Sequence, residues 1–155
     1  MKKISDYSNF MEHQSDCVLR LLLEWQPSAA GLSEKAYEQD LQAWLESKLP
    51  DVAIVAQYGI AKGKADLVIE DSYIVELKLA FTDDTLVEFD RCIGQLERYR
   101  QKWVDNERGR VYLVIVGKSD SEFRHMIHKA IERFNQPYVL SNYFYIVEKY
   151  ASQNA

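Results

Sequence analysis

The chain has few of the residues on which several protein classes depend. It has two cysteines in 155 residues, Cys17 and Cys92, so neither a disulfide scaffold nor a cysteine-based zinc site is expected. Its six glycines form no phosphate-binding loop, and no Gly-x-Ser-x-Gly sequence is present. No segment approaches the roughly 18 apolar residues of a membrane span, and the first residues lack the apolar run of a signal peptide. We therefore expect a reduced, cytoplasmic protein with no membrane partner.

Basic charge is also in deficit. The chain holds 19 Lys and Arg against 24 Asp and Glu, a net charge of −5, which argues against a general affinity for nucleic acids. Residues 91–110 depart from this average, with six basic and three acidic side chains. Such a local strip is compatible with contacts to phosphates, and a solvated helix face is an equally good interpretation of its charge.

Hydrophobic periodicity predicts nine elements in the order α-α-β-β-β-α-β-α-β. Ser33 and the capping box over 119–122 mark two helix starts. Meandering strands followed by alternating helices and strands predict an α/β fold with a mixed sheet flanked by helices. We expect one domain over 1–155, with an N-terminal helical extension over 1–30 and a core over 33–148. The predicted helices cover 5–25, 34–49, 83–103 and 119–134, and the predicted strands cover 52–58, 66–69, 73–79, 111–116 and 143–147.

The predicted strand over 73–79 carries two charges in an otherwise apolar run. Glu76 and Lys78 are two residues apart, so in a strand both face the same side as Ile74 and Ala80. A charge in the middle of a buried strand is costly unless it is paired or binds an ion. An exposed Glu–Lys salt pair is the ordinary interpretation of this spacing, and the apolar flanks argue against it.

A second acid lies opposite Glu76 if residues 70–72 form a three-residue hairpin loop. That loop sets a register in which Asp66 faces Glu76, with the Cβ atoms roughly 4.5–5.5 Å apart. Two carboxylates at this distance repel each other, and a divalent cation between them removes the repulsion. Oxygen ligands of this kind suit Mg²⁺ or Mn²⁺. Lys78 would lie beside the same ion, where its ammonium can hold an attacking water or a phosphoryl oxygen.

These residues resemble the signature of the PD-(D/E)XK nuclease superfamily, which has a restriction-endonuclease-like fold. Asp66, nine intervening residues and then Glu76-Leu77-Lys78 match its bipartite motif, with Ala65 where the nominal motif has proline. The α-β-β-β-α-β order over about 34–116 is similar to the core of that family. The resemblance implies that Asp66, Glu76 and the backbone carbonyl of Leu77 bind Mg²⁺ or Mn²⁺. It also implies that Lys78 orients or helps to deprotonate the attacking water.

The resemblance further implies an acid on the preceding helix. Glu38 would reach the site through a water or bind a second ion. Glu34, one turn earlier, is the alternative for this role, and Glu38 is preferred because it is nearer to the core-facing Leu41 and Leu45. A helix-surface glutamate with no role in a site is the other interpretation of Glu38.

The helix after the signature strand extends the resemblance. Gln95 and Tyr99 share a helix face and resemble the Gln-x-x-x-Tyr motif of the RecB-like branch. A tyrosine at the core boundary, with Gln95 holding its polar tip, is the alternative interpretation, and Lys64 belongs equally well to a solvated turn. Contacts to nucleic acid are expected from these two residues and from the nearby basic ones: Gln95, Tyr99, Arg91, Arg98, Lys102 and Lys64.

We therefore expect a metal-dependent nuclease that hydrolyses phosphodiester bonds of nucleic acid, and the resemblance favours DNA as the substrate. One alternative is a catalytically silent nuclease-fold module that binds nucleic acid. Another is a protein-interaction subunit of a larger defence or repair complex. Because so small a domain would need two copies to cut both strands of a duplex, a homodimer or a larger complex is the expected assembly.

Overall fold

The computed structural model describes residues 16–80 and 85–150, and it shows an α/β fold built on one five-stranded mixed sheet. The strands lie in the order β1-β2-β3-β4-β5, with antiparallel pairing from β1 to β3 and parallel pairing from β3 to β5. The predicted α/β class and mixed sheet are confirmed, and the predicted helix over 5–25 lies outside the described residues up to position 15. The elements are α1 (Cys17–Glu24), α2 (Glu34–Lys48), β1 (Ile54–Ile60), β2 (Gly63–Ile69), β3 (Tyr73–Leu79), α3 (Thr85–Tyr99), β4 (Arg110–Val116), α4 (Ser121–Asn135) and β5 (Phe144–Lys149).

Helices cover both faces of the sheet and divide the hydrophobic core in two. α1 and α2 pack on one face, called here the α1–α2 face, and α3 and α4 pack on the other, the α3–α4 face. β4 has a buried residue at every position from Val111 to Val116 and contributes to both cores, as its apolar run predicted. Within the described ranges, no helix combines the length and apolar character that a membrane crossing requires.

The two predicted helix caps have different outcomes. Ser33 Oγ accepts a hydrogen bond of 3.1 Å from the amide of Ala36, which confirms the predicted start of α2. The predicted start of α4 at Ser119 is wrong by one residue, because Asp120 Oδ1 accepts the bond from the Phe123 amide at 2.7 Å. A carboxylate at this position also interacts favourably with the positive end of the helix dipole. Ser119 Oγ is buried and has no hydrogen-bond partner in the described part of the chain.

This cap leads to a stability prediction. Asp120→Ala should lower the free energy of unfolding by about 1 kcal/mol, because the first turn of α4 loses its acceptor. Ser119→Ala should leave stability unchanged or raise it slightly, because its buried hydroxyl has no partner to lose. Urea unfolding of both variants measures the difference. A larger loss for Ser119→Ala would contradict the assignment of Asp120 as the cap.

Element boundaries differ from the predicted ones where turns are tighter than the sequence indicates. The amide of Val52 donates to the carbonyl of Leu49 at 3.1 Å and closes a turn after α2, so β1 begins at residue 54 rather than 52. Only Ala61 and Lys62 form the turn before β2, so that strand already begins at Gly63. The predicted three-residue loop over 70–72 is confirmed by the register of β2 and β3.

The predicted helix over 83–103 changes type at its end. Residues 83 and 84 lie outside the described residues; from Thr85 to Tyr99 the chain is α-helical, and it then continues as a π-helix over Arg100–Val104. The wider turn places Trp103 in the core, where its indole nitrogen donates to the carbonyl of Ser72 at 2.9 Å. This hydrogen bond therefore connects the π-helix at the end of α3 to the loop between β2 and β3.

Candidate functional site

Pairing between β2 and β3 stops where the two predicted acids meet. The backbone ladder ends at Leu67 and Val75, and beyond this point side chains replace it. The amide of Asp66 donates to Glu76 Oε2 at 3.3 Å, and the amide of Leu77 donates to Asp66 Oδ2 at 2.8 Å. The carboxylate on each strand thus accepts a hydrogen bond from a backbone amide of the other strand. Asp66 lies beside Glu76, as the predicted register requires.

Glu76 is buried, and three side chains hold its carboxylate. Tyr99 donates its hydroxyl proton to Oε2 at 2.7 Å, and Gln95 donates from Nε2 to Oε1 at 3.0 Å. Lys78 Nζ lies 3.7 Å from Oε1, so the Glu-x-Lys spacing brings the two charges together on one face of β3. This side of the strand is the α3–α4 face, where Ile74 also packs. Glu76 therefore has a fixed orientation with a cation beside it.

The ring of Tyr99 occupies a position different from the one expected for stacking on a nucleotide. Tyr99 has an exposed fraction of 0%, so its ring presents no free surface on which a base can stack. Burial raises the pKa of its hydroxyl, which therefore remains protonated and acts as a donor to Glu76. Gln95 Oε1 is buried and has no hydrogen-bond partner among residues 16–80 and 85–150. In this structure both residues donate to the carboxylate of Glu76 and so fix its orientation, rather than Gln95 holding the tip of the tyrosine.

Burial makes both acids of the pair costly to ionise. Burial, followed by the charge of Glu76, raises the pKa of Asp66 to about 7, while the hydrogen bond from the Leu77 amide acts in the opposite direction. Burial also raises the pKa of Glu76, against the hydrogen bond from Tyr99 and the charge of Lys78. Near neutral pH the pair therefore favours a bound proton or a cation that neutralises it.

The two acids of α2 that were candidates for the site, Glu34 and Glu38, lie near Asp66 and Glu76. Glu38 is buried, and its Oε1 accepts a hydrogen bond of 2.7 Å from Gln57 Nε2. Its charge contributes to the raised pKa of Asp66, whereas that of Glu34 contributes to the raised pKa of Glu76. Glu34 Oε2 also accepts a long bond of 3.5 Å from the amide of Leu79. α2 thus adds negative charge from two successive turns.

The oxygen donors at the pair fit a hard divalent cation. Asp66 and Glu76 supply two carboxylates, and no group of three or more His, Cys, Asp or Glu side chains in the described ranges is placed to share one ion. Mg²⁺ commonly takes one or two carboxylates and completes its coordination with waters. Carboxylate oxygens are donors that suit Mg²⁺ and Mn²⁺.

The predicted nucleic-acid contacts fall into two groups. The guanidinium of Arg98 lies against Gly63, so close that a Cβ on that glycine would overlap it, and the exposed Lys64 is the next residue. Both cations therefore lie at the start of the strand that carries Asp66. Arg91 is exposed and pairs with Glu88 at 3.0 Å, and Lys102 is exposed on the π-helix.

Most arginines of the basic strip are engaged within the protein. Four of the five form ion pairs, which neutralise much of the positive charge that the strip carries in the sequence. Arg108 also lies over the ring of Trp103, 3.8 Å from its centroid. The pairs are Arg91 with Glu88, Arg100 with Glu97 and Asp105, Arg108 with Asp71, and Arg110 with Asp16.

Comparison with protein-family models, with curated proteins and with solved structures finds no match for this chain.

Proposed function

We propose that this chain is a metal-dependent nuclease with a restriction-endonuclease-like fold, which hydrolyses phosphodiester bonds of nucleic acid, with DNA as the expected substrate. The observation that carries the proposal is the pair of acids at the point where β2 and β3 separate, the buried Glu76 and the partly buried Asp66, with Lys78 beside Glu76. Buried acids of raised pKa that have a specific charged partner are a recognised mark of functional sites. The match to the bipartite motif of the PD-(D/E)XK superfamily supports the same proposal.

In this proposal each group has a separate task. Asp66, Glu76 and the carbonyl of Leu77 would hold Mg²⁺ or Mn²⁺, which when bound lowers the pKa of a coordinated water and stabilises charge on the phosphate. Lys78 supplies a positive charge where negative charge develops and orients the water. Arg98 and Lys64 bind the backbone phosphates of the substrate.

Metal binding tests the proposal without knowledge of the substrate. In calorimetric titration with Mn²⁺ at pH 7.5, we expect saturable binding to the wild type and loss of that binding in Glu76→Ala. Glu46→Ala, which alters an exposed glutamate on α2, serves as the matched control and should bind like the wild type. Mg²⁺-dependent cleavage of single- and double-stranded DNA, abolished by EDTA, is the functional assay. Equal Mn²⁺ affinity in the wild type and Glu76→Ala would contradict the proposal.

A second candidate function is favoured by the hydrogen bonding of Glu76. Both of its oxygens already accept hydrogen bonds, from Gln95 and Tyr99, as in a structural carboxylate. A catalytically silent module that binds nucleic acid is the function compatible with that role. DNA binding that persists in EDTA, together with no cleavage in Mg²⁺ or Mn²⁺, would favour it over the nuclease.

A further inference from the structure

Gln57 has an unusual backbone conformation for a residue inside a strand. Its φ is +54°, in the left-handed region that residues other than glycine rarely adopt, and glutamine is not among the residues that favour it. The register of β1 and β2 is regular on both sides, with Ala56 opposite Leu67 and Tyr58 opposite Ala65. Gln57 therefore lies opposite Asp66. Strained residues of this kind cluster at functional sites, where the surrounding structure holds them in place.

The hairpin of β1 and β2 changes faces at this position. Before it, Ile54 and Ala56 pack on the α1–α2 face, and after it Tyr58 and Ile60 pack on the α3–α4 face. In a regular strand, residues two apart stay on one side, so the left-handed residue has reversed the alternation. The opposite strand reverses at the same level. Its Leu67 belongs to the α1–α2 face and its Ala65 to the α3–α4 face.

The side chain of Gln57 connects this backbone turn to the acid on α2. Its amide nitrogen donates to Glu38 Oε1 at 2.7 Å, and Glu38 is buried. A buried carboxylate that loses its donor turns toward water, because an unpaired buried charge is costly. Gln57 therefore determines whether Glu38 remains directed toward the pair on β2 and β3.

We propose that Gln57 is a positioning residue of this site: its left-handed backbone turns the hairpin at the level of Asp66, and its amide holds Glu38 beside the acid pair. This role rests on the proposed metal-dependent function. Gln57 acts through Asp66 and Glu38, and it supplies no ligand or proton itself.

Gln57→Gly separates the role of the amide from that of the left-handed backbone, because it removes the first and keeps the second. Glycine adopts the left-handed conformation without strain, so the variant should fold and keep a Tm close to that of the wild type. It lacks the amide that holds Glu38, the acid expected to reach the site through a water, so its Kd for Mn²⁺ should rise roughly 10-fold, as found when groups that surround the direct ligands of a metal are removed. Val55→Gly, two residues earlier at a position without left-handed φ, is the matched control. It should lower the Tm and leave the Mn²⁺ Kd unchanged.

A double-mutant cycle tests whether Gln57 acts through Glu38. If it does, the effects of Gln57→Gly and Glu38→Gln on the Mn²⁺ Kd should overlap, and the double variant should bind about as weakly as Glu38→Gln alone. Full additivity would overturn the link to Glu38. Wild-type affinity in Gln57→Gly would overturn the positioning role and leave the proposed function standing. If the wild type itself binds no Mn²⁺, the proposed function fails, and the role of Gln57 fails with it.

Discussion

Glu76→Gln is expected to lower Mg²⁺-dependent cleavage by roughly 10³-fold or more while the protein remains folded. The substitution removes the negative charge that would hold the ion and keeps the size of the side chain. Gln95 and Tyr99 can still hydrogen-bond to the new amide, because an amide both donates and accepts. The neighbouring Asp66 also loses a like charge, which offsets part of any packing cost. Initial rates on plasmid and oligonucleotide DNA, with circular dichroism as the measure of folding, test this expectation.

Control variants in the cleavage assay distinguish a loss of metal binding from a loss of the hydrolysis step. Glu46→Gln, on the exposed side of α2, should cleave like the wild type. Lys78→Met keeps most of the side-chain length, and in the structure Nζ lies 3.7 Å from Glu76 Oε1. That variant should bind Mn²⁺ at least as well as the wild type and lose cleavage, since it removes a cation from beside the ion. Cleavage that survives in Glu76→Gln, Asp66→Asn and Lys78→Met alike would refute the mechanism.

In EDTA, the wild type should become less stable as pH rises from 5 to 8. Burial and the charge of Glu76 raise the pKa of Asp66 to about 7 from 3.8. Between these values the folded protein holds a proton that the unfolded chain has released, so the free energy of unfolding falls as pH rises. Because the pKa of about 7 lies roughly two units above pH 5, the loss of unfolding free energy over this range is about 2–3 kcal/mol at most, which for a domain of this size corresponds to a Tm decrease on the order of 5–10 °C.

Asp66→Asn should remove most of this loss of stability between pH 5 and 8. Asparagine has no proton to lose, and its carbonyl can still accept the hydrogen bond from the Leu77 amide. At pH 8 in EDTA the variant should therefore melt above the wild type. Asp51→Asn, at an exposed position, is the control for the general effect of one fewer negative charge. Thermal melts of the three proteins at pH 5 and 8 give the comparison, and parallel pH dependences in all three would disprove it.

Divalent metal should reverse the order of the melting temperatures of the wild type and Asp66→Asn at pH 8. Saturating Mn²⁺ stabilises any protein that binds it only when folded, by an amount that grows with the ratio of ion concentration to Kd. The wild type should gain several degrees in Tm, and Asp66→Asn should gain little because it has lost a ligand. If the two proteins gain equally, the ion binds elsewhere.

The position of Asp66 opposite Glu76 could be predicted, because it depends on residues that are close together in the sequence. A three-residue loop sets the register of a hairpin, and strand alternation then determines which side chains share a side. Lys78 follows from the same alternation. The start of α2 was predictable for a similar reason, since a serine cap acts within three residues.

The environment of Glu76 was less predictable, because its partners come from a distant helix. The spacing of Gln95 and Tyr99 shows that they share a helix face, and it contains no information on which way that face turns. The packing of α3 on β3 directs both residues inward to the carboxylate. The ion pairs of Arg108 and Arg110 could not be predicted for the same reason, because their partners, Asp71 and Asp16, are far away in the sequence.

Gln57 gave no sequence signal at all. In the sequence, apolar residues alternate through this position without a break, at residues 54, 56, 58 and 60. In the structure, the first two face the α1–α2 side and the last two face the α3–α4 side, so the pattern does not show the change of face. By itself, then, the sequence determined the element order, the acid pair and the adjacent lysine, since each depends on interactions within one hairpin or one helix turn. The tertiary structure alone decided how the acids are oriented, how Arg108 and Arg110 are neutralised and where the hairpin turns, because those depend on contacts between segments that are distant in the chain.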